Sequence, residues 1–201
     1  MNTPVCSYYR LQDLLISPLR HLDGLAPLAL RLYLAPVLWI AGTQKITHMN
    51  ATVEWFGNAD WGLGLPIPGL LAHLAAYTEI FGAVALLLGL AVRWFSILLM
   101  IVMAVAAATV HWQHGWATIA DIGVPEIAVR LGVAREILEQ HGNYRWLIER
   151  GNFVIFNNGI ELAVTYFVML LSLLFSGGGR FVSLDYYLSR LYPPPISVIE
   201  K

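Results

Sequence analysis

Four long apolar stretches, separated by more polar segments, dominate the hydrophobic pattern of this 201-residue chain. A bilayer core of ~30 Å requires about 20 mainly apolar residues per helix. The four stretches approach or exceed that length, over residues 25–46, 70–92, 94–112 and 157–175. The pattern therefore predicts an all-α fold in which a four-helix transmembrane bundle occupies residues 25–190.

The segments at the two ends of the chain have different patterns. Residues 1–24 carry leucines at helical spacing among charged side chains, which predicts an amphipathic lead-in lying at the membrane surface. They show neither the long apolar core nor the cleavage site of a secretory signal peptide. Residues 191–201 form a Pro-rich C-terminal tail.

The connection over residues 113–156 is long for a helical bundle. Its apolar residues recur at the spacing of one helical face. They are Val124, Ile127, Ala128, Leu131, Ala134, Ile137 and Leu138, followed by His141. We expect a long outer loop carrying an interfacial helix, because the segment is too small to hold a hydrophobic core of its own.

The composition supports a membrane protein. Hydrophobic residues make up 58% of the chain and charged residues 12%, whereas soluble domains carry about 25% charged residues. There is no basic block, so we expect no nucleic-acid partner. The single cysteine, Cys6, excludes an internal disulfide and a thiolate metal cage, so redox chemistry would require a bound cofactor or a partner.

The distribution of lysine and arginine predicts the orientation of the bundle. With four spans, both termini and the turn near Arg93 lie on one side of the membrane. That side carries Arg10, Arg20, Arg93, Arg180, Arg190 and Lys201. The other side carries Lys45 and a long loop in which arginines are diluted by acids. We therefore expect cytoplasmic termini and two long loops facing outward, to the periplasm in a bacterium.

Glu79 is the most unusual residue of the second stretch, because it places a carboxylate roughly 13 Å into an apolar helix. Ionisable groups at such depth are rare and are usually paired or functional. Three interpretations stay open: a structural ion pair with Lys45 or Arg31, a group for proton or ligand chemistry, and a neutral hydrogen-bonded acid.

Other polar residues accompany Glu79 in the predicted helices. A functional or structural polar core is predicted from Arg31, Lys45, Glu79, Arg93 and Glu161. For Arg93 the pattern favours an orientation anchor, and Lys45 is also explained as a residue that extends to the membrane surface. A quinone would need a few donors in an apolar cleft, and Lys45 with the candidate ligand-binding residues His73, Tyr77 and Tyr166 would supply them.

A metal site is the second candidate for ligand binding. His111 and His114 are three residues apart, so a helix would bring them to one face, with His73 or Glu161 completing the set. Imidazoles with a carboxylate suit copper or zinc. Each of these histidines is also explained as an interfacial residue in contact with water.

Several segments resemble the DoxX family of small four-helix membrane proteins. They are RLYLAPVLWIAGTQKI, TEIFGAVALLLGLAVR, TVHW and NNGIELAVTYFVMLLSLLFSGGGRFVSLDYYL. The resemblance extends over about residues 25–190. The positions that match the family pattern are Arg31, Gly42, Lys45, Glu79, Gly82, Gly89, Arg93, His111, Glu161 and Asp185.

More narrowly, the chain is similar to the HvfX branch of that family, whose members are encoded beside modified peptides thought to bind copper. The resemblance implies a bacterial inner-membrane accessory protein that supports a redox or copper-peptide maturation system and binds a partner or small ligand at the outer end of the bundle. The loop 113–156 departs from the shorter members of the family.

Two other functions stay open. The chain could be a membrane subunit of a quinone-dependent oxidoreductase, or it could handle copper itself. Fold-level analogy does not choose between them. Its partners would be the lipid membrane and a peptide-maturation or oxidoreductase complex, and the sequence leaves a homo-oligomer open.

Overall fold

The computed structural model describes residues 4–192. Within this range the regular elements are helical, and the β-structure consists of one isolated bridge between Ile119 and Phe156. The predicted all-α fold is confirmed. The predicted C-terminal tail lies, from residue 193 onward, outside the described residues.

The chain divides into two compact units. Unit 1 comprises Met1–Val102 and Val168–Lys201, and unit 2 comprises Met103–Phe167. Unit 1 contains α1 (Pro4–Ile16), α2 (Leu25–Thr47), α3 (Met49–Gly57), α4 (Pro68–Leu88), most of α5 (Val92–Ala106), the end of α8 (Glu161–Ser176) and all of α9 (Leu184–Leu191). Unit 2 contains the end of the third apolar helix, α6 (Pro125–His141), α7 (Tyr144–Leu147) and the start of α8.

The amphipathic lead-in is helical. Helix α1 covers Pro4–Ile16 and continues as a 3₁₀ helix over Ser17–Leu22. Its predicted apolar residues are exposed, including Leu11, Leu14 and Leu15. An apolar stripe without protein contacts is what an interfacial helix presents to a membrane.

Helices α2 (Leu25–Thr47) and α4 (Pro68–Leu88) form the main helix pair of unit 1. They are antiparallel, since Gly42 lies against Ala76 while Arg31 lies against Leu86. A Cβ atom at Gly42 would come within 2.7 Å of Ile80 Cγ1 and 3.0 Å of the Ala76 carbonyl oxygen. The two backbones therefore approach closely through a small residue, as is common between helices in lipid.

A short helix that the sequence pattern did not predict follows α2. Helix α3 covers Met49–Gly57 and packs on α4. His48 separates α2 from α3 with φ −116° and ψ 40°, which is not a helical conformation. Helix α2 covers the first predicted span, over 25–46, and is long and apolar enough to cross a membrane.

Helix α4 ends earlier than the predicted boundary at residue 92. The Gly89 N–H donates to the Leu86 carbonyl, and the Leu90 N–H donates to the Ala85 carbonyl. With Gly89 at φ +65°, these two bonds form a Schellman motif that stops the helix at Leu88. The boundary at 92 was wrong because this glycine terminates the helix inside a continuous apolar run.

The third apolar helix runs from Val92 to His114 and changes its winding on the way. It is α-helical in α5 (Val92–Ala106), a π-helix over Ala107–His111, and a 3₁₀ helix over Trp112–His114. Together with α2 and α4, it gives three helices that are long and apolar enough to cross a membrane among the described residues.

The fourth apolar helix is shorter than predicted. Helix α8 covers Glu161–Ser176, 16 residues that rise about 24 Å, less than a ~30 Å bilayer core. The predicted start at residue 157 was wrong, because residues 157–160 bond to the loop after the third helix instead of entering α8. The complete four-helix transmembrane bundle stays a prediction.

Unit 2 contains the predicted interfacial helix. Helix α6 covers Pro125–His141, followed by the short helix α7 over Tyr144–Leu147. Of the predicted apolar face, Ile127, Leu131 and Leu138 are half-buried, whereas Val124 and Ile137 are exposed. The helix is therefore confirmed, but its predicted face is only partly covered by the rest of the unit.

Candidate functional site

The Lys45 ammonium group pairs with the Glu79 carboxylate between α2 and α4. The Lys45 Nζ atom lies 2.9 Å from Glu79 Oε1 and 2.6 Å from Oε2, so it donates to both oxygens. The Glu79 side chain is 3% exposed and that of Lys45 is 25% exposed. Of the three interpretations left open for Glu79, this geometry favours the ion pair with Lys45.

The local sequence explains why Lys45 reaches inward. Gly42 lies one helical turn before Lys45, and a Cβ atom there would lie 3.1 Å from the Cβ atom of Glu79. The glycine thus brings the backbone of α2 close to the base of Glu79. The long lysine stem spans the remaining depth, so its charge extends into the helix pair and not out to the membrane surface.

Arg31 forms a second polar centre, at the opposite end of α2. It lies 14 residues from Lys45, or about 21 Å along the helix axis, and its side chain is completely buried. Its guanidinium group donates to five backbone carbonyls at 2.6 to 3.3 Å. They belong to Leu86, Leu87, Gly178, Phe181 and Val182.

The five carbonyls explain why an arginine is needed at this position. Leu86 and Leu87 are in the last turn of α4, where carbonyls lack the usual N–H partner four residues later, although the Leu86 carbonyl also accepts the Gly89 N–H. The other three belong to the turn after α8, which is not helical. A guanidinium group carries five N–H donors in a planar fork, so Arg31 satisfies both groups of carbonyls at once.

Asp185 completes this end of unit 1 by binding the start of α5. Its two carboxylate oxygens accept the Ala91 N–H at 2.7 Å and the Val92 N–H at 3.0 Å. Its own N–H donates to the Gly89 carbonyl, which also accepts the hydroxyl of buried Ser183. The carboxylate thereby caps a helix N-terminus, where negative charge is stabilised.

The residues around Gly89 and Gly178 were not predicted as one connected cluster. Asp185 was noted as a position matching a family pattern, while the Ser183–Asp185 segment lies far along the chain from Gly89. A signal was present in the close succession of three glycines, a serine and an acid after an apolar helix. That signal does not reveal which distant helix end the acid would cap.

The remaining members of the predicted polar core lie elsewhere. Arg93 is exposed and its Nη2 atom donates to the Phe175 carbonyl at 3.3 Å. Glu161 belongs to unit 2, where its Oε2 atom accepts the Thr118 N–H at 3.0 Å. The structure thus brings together Lys45 and Glu79, and it gives the other three residues separate contacts.

The candidate quinone ligands belong to different units, with His73 and Tyr77 in unit 1 and Tyr166 in unit 2. The rings of His73 and Tyr77 are 6.3 Å apart, and Tyr77 stacks on Phe81 at 6.0 Å. All three side chains are exposed along one side of α4, and His73 Nδ1 lies 2.7 Å from the Gly69 carbonyl oxygen. Tyr166 is half-buried in unit 2.

The two candidate metal ligands do not form a donor set. His111 is in the π-helix and its Nδ1 atom lies 2.9 Å from the Asn158 carbonyl oxygen. His114 is in the 3₁₀ helix, exposed, and contacts the Gln113 side chain. Among residues 4–192 no group of three or more His, Cys, Asp or Glu side chains is placed to hold a metal ion.

Unit 2 contains a second polar cluster, built mainly from backbone. Residues 115–120 and 155–161 bond to each other through a series of main-chain contacts. The Asn157 amide donates to the carbonyls of His114 and Ala117, and Asn158 adopts φ +59°. A Cβ atom at Gly159 would overlap the carbonyl oxygens of Trp116 and Ala117, so the two segments require glycine there.

Three long apolar helices, with an ion pair buried between two of them, are typical of an α-helical membrane protein. Residues 26–112 match the model of the DoxX family. The matched region covers the three long apolar helices, includes Arg31, Lys45 and Glu79, and ends before α8. Comparison with curated proteins and with solved structures gave no match.

Proposed function

We propose that this protein is a DoxX-type accessory protein of the bacterial inner membrane, with both termini in the cytoplasm. It holds a partner protein of a redox or copper-peptide maturation system at its outer end. The match over residues 26–112 supports the family assignment. The sequence resemblance to the same family supports extending that assignment to about residue 190, a region that includes Glu161 and Asp185.

One observation carries the accessory role. Among the described residues, the buried charged side chains are Arg31 and Glu79. The five donors of Arg31 hold backbone carbonyls, and both oxygens of Glu79 hold Lys45. These charges therefore hold segments of the fold together, and the Glu79 carboxylate is engaged by Lys45.

Unit 2 supplies a surface for a partner. Ile119 and Phe156 are bridge partners and therefore point to the same side of the two segments. Both side chains are more than half exposed, and Trp116 beside them is 60% exposed. Exposed apolar residues concentrated in one place are typical of a binding surface.

The experiment is a purification of the tagged full chain from its native membrane with a mild detergent. Copper, quinone and co-purifying protein are measured in the same sample. We expect a defined partner in stoichiometric amount, with neither quinone nor copper at one per chain. The partner should be lost from an Ile119→Ser/Phe156→Ser variant that keeps the melting temperature of the wild type.

A matched control is Val129→Ser, which changes an exposed apolar residue of α6 in the same unit. It should retain the partner. Stoichiometric quinone or copper without a partner would overturn the accessory role, and so would equal retention of the partner by all three proteins.

The Lys45–Glu79 pair supports one second candidate, a membrane subunit of a quinone-dependent oxidoreductase. Lys45 has three N–H donors, two of which are directed to Glu79, and a quarter of its side chain is exposed. The third donor could bind a quinone carbonyl oxygen. This function predicts that Lys45→Met protein, extracted in parallel, contains less quinone than the wild type. Equal quinone in both preparations would contradict it.

A further inference from the structure

A cavity of about 510 Å³ lies in unit 1 beside the turn that follows α8. Its walls come from the start of α5, the glycine turn and α9, including Arg93, Trp94, Gly178, Asp185, Tyr186 and Ser189. We propose that this cavity binds the phosphate group of an anionic phospholipid.

Arg93 provides the principal donor. Of its five N–H groups, one donates to the Phe175 carbonyl at 3.3 Å, which leaves the others for a ligand. A Cβ atom at Gly177 would lie 3.3 Å from Arg93 Nε, so the absent side chain lets the guanidinium group lie against the turn. Arginine binds phosphate through paired, charge-assisted hydrogen bonds.

The glycine turn is shaped to add backbone donors. Gly177 and Gly179 adopt φ +72° and +71°, on either side of Gly178. The Gly177 N–H donates to the Leu173 carbonyl at the end of α8, so a backbone contribution to anion binding would come from the Gly178 and Gly179 N–H groups. The hydroxyl groups of Ser176 and Ser189 line the cavity but donate to the carbonyls of Ser172 and Tyr186.

The charge around the cavity is positive. Arg31 donates to the Gly178 carbonyl directly behind the turn, and the Arg190 guanidinium lies 4.7 Å from the centre of the Tyr186 ring. With Arg93 this makes three cations against the Asp185 carboxylate, while Arg180 and Asp23 beside the turn pair with each other. The Asp185 carboxylate keeps its negative charge, and its oxygens accept the Ala91 and Val92 N–H groups, so one negative charge is set against the three arginines.

The surroundings indicate a lipid headgroup. Trp94 lines the cavity at the start of the third apolar helix and is 75% exposed, as expected for a tryptophan at headgroup depth. Helix α9 (Leu184–Leu191) supplies another wall, and its apolar side is exposed. That side consists of Leu184, Tyr187, Leu188 and Leu191. Such a helix lies in the plane of the interface and places the cavity among the phosphates of one leaflet.

The test is native mass spectrometry of the full chain with phosphatidylglycerol and phosphatidylcholine at equal concentration. We expect preferential retention of phosphatidylglycerol, because no unpaired acid in the cavity is available for a choline group. Arg93→Gln should lower its occupancy about tenfold, the effect of losing one charge-assisted hydrogen bond. Arg93→Lys keeps the charge, so its phosphatidylglycerol occupancy should lie between that of the wild type and that of Arg93→Gln.

The matched control is Arg20→Gln, which removes an exposed arginine of unit 1 outside the cavity. It should retain the lipid as the wild type does. Equal retention of the two lipids, or equal occupancy in Arg93→Gln and Arg20→Gln proteins, would overturn the proposal.

A free phosphate is the other source of the same chemistry. In delipidated protein, ³¹P line broadening of inorganic phosphate reports whether it binds. If inorganic phosphate binds in an Arg93-dependent way and stays bound after phosphatidylglycerol is added, the cavity binds a soluble phosphate. That result would overturn the proposal of a lipid ligand. Displacement of the phosphate by the lipid would support it.

Discussion

The Lys45 ammonium group contacts both carboxylate oxygens of Glu79, at 2.9 and 2.6 Å, between two antiparallel apolar helices. This contact explains why an apolar helix carries an acid near its middle. An isolated charge there would be strongly unfavourable, whereas a paired one joins α2 to α4. The pair also selects one register of the two helices, because a shift by one turn would separate the charges.

Replacing Glu79 with Gln should destabilise the protein. The change leaves the Lys45 ammonium group without its partner while most of the side chain stays buried. Breaking a fully buried pair costs about 3–5 kcal/mol, and the partial exposure of Lys45 should reduce this to about 2–3 kcal/mol. Thermal unfolding of the detergent-purified protein, followed by circular dichroism, measures the difference.

A double-mutant cycle separates the pair from the individual side chains. The Lys45→Met/Glu79→Gln protein should be more stable than the sum of the two single changes predicts, because it leaves no unpaired charge. Strict additivity of the two effects would show that the contact contributes nothing to stability.

Replacing Arg31 with Lys should be severely destabilising although the charge is kept. A lysine has three donors on one atom, so at least two of the five carbonyls lose their partner. Each unsatisfied buried carbonyl costs about 1–3 kcal/mol. The folded yield in detergent and the melting temperature report the loss.

Arg130→Lys is the corresponding control, because Arg130 forms an exposed pair with Glu126 one turn away on α6. Its effect should stay within about 0.5 kcal/mol. If the two lysine substitutions had the same effect, the five-carbonyl contact would not be what makes Arg31 necessary.

Gly89→Ala should lower stability by more than about 2 kcal/mol, through left-handed strain and a steric clash. The residue adopts φ +65°, and its Cβ atom would lie 2.7 Å from Ser183 Cα and 2.8 Å from Arg31 Nη2. Gly132→Ala should instead raise the free energy of unfolding by about 0.5–1 kcal/mol. This glycine is in the interior of α6, and no atom lies within 4 Å of the new Cβ. Chemical unfolding of both variants tests the opposite signs.

Thr118→Val should raise the stability of unit 2. Among the described residues, Thr118 Oγ1 is the one buried side-chain nitrogen or oxygen atom without a hydrogen-bond partner. Removing an unsatisfied hydroxyl should gain up to about 1 kcal/mol, whereas Ser183→Ala, which removes a bonded hydroxyl, should lose about 1 kcal/mol. A lower melting temperature for Thr118→Val would indicate that this hydroxyl has a partner in solution.

The charged residues show what sequence patterns can predict about a site. The sequence shows how deep Glu79 lies in its helix and that the preceding helix carries two cations. An ion pair was therefore among the predictions. The choice of Lys45 over Arg31 depends on the antiparallel register of α2 and α4. That register is set by the close approach at Gly42, which involves residues far apart in the chain.

The sequence alone determined the all-α class and the positions of the long apolar helices, because the length of an apolar run is a local property that a bilayer requires. The tertiary structure decided where those helices end and what the charges bind. The Gly89 turn that ends α4 uses the nearby carbonyls of Ala85 and Leu86. The capping of α5 by Asp185 and the pairing of residues 157–160 with the preceding loop depend on groups from distant segments. Such partners are chosen by packing, since an unsatisfied backbone group costs free energy wherever water is absent.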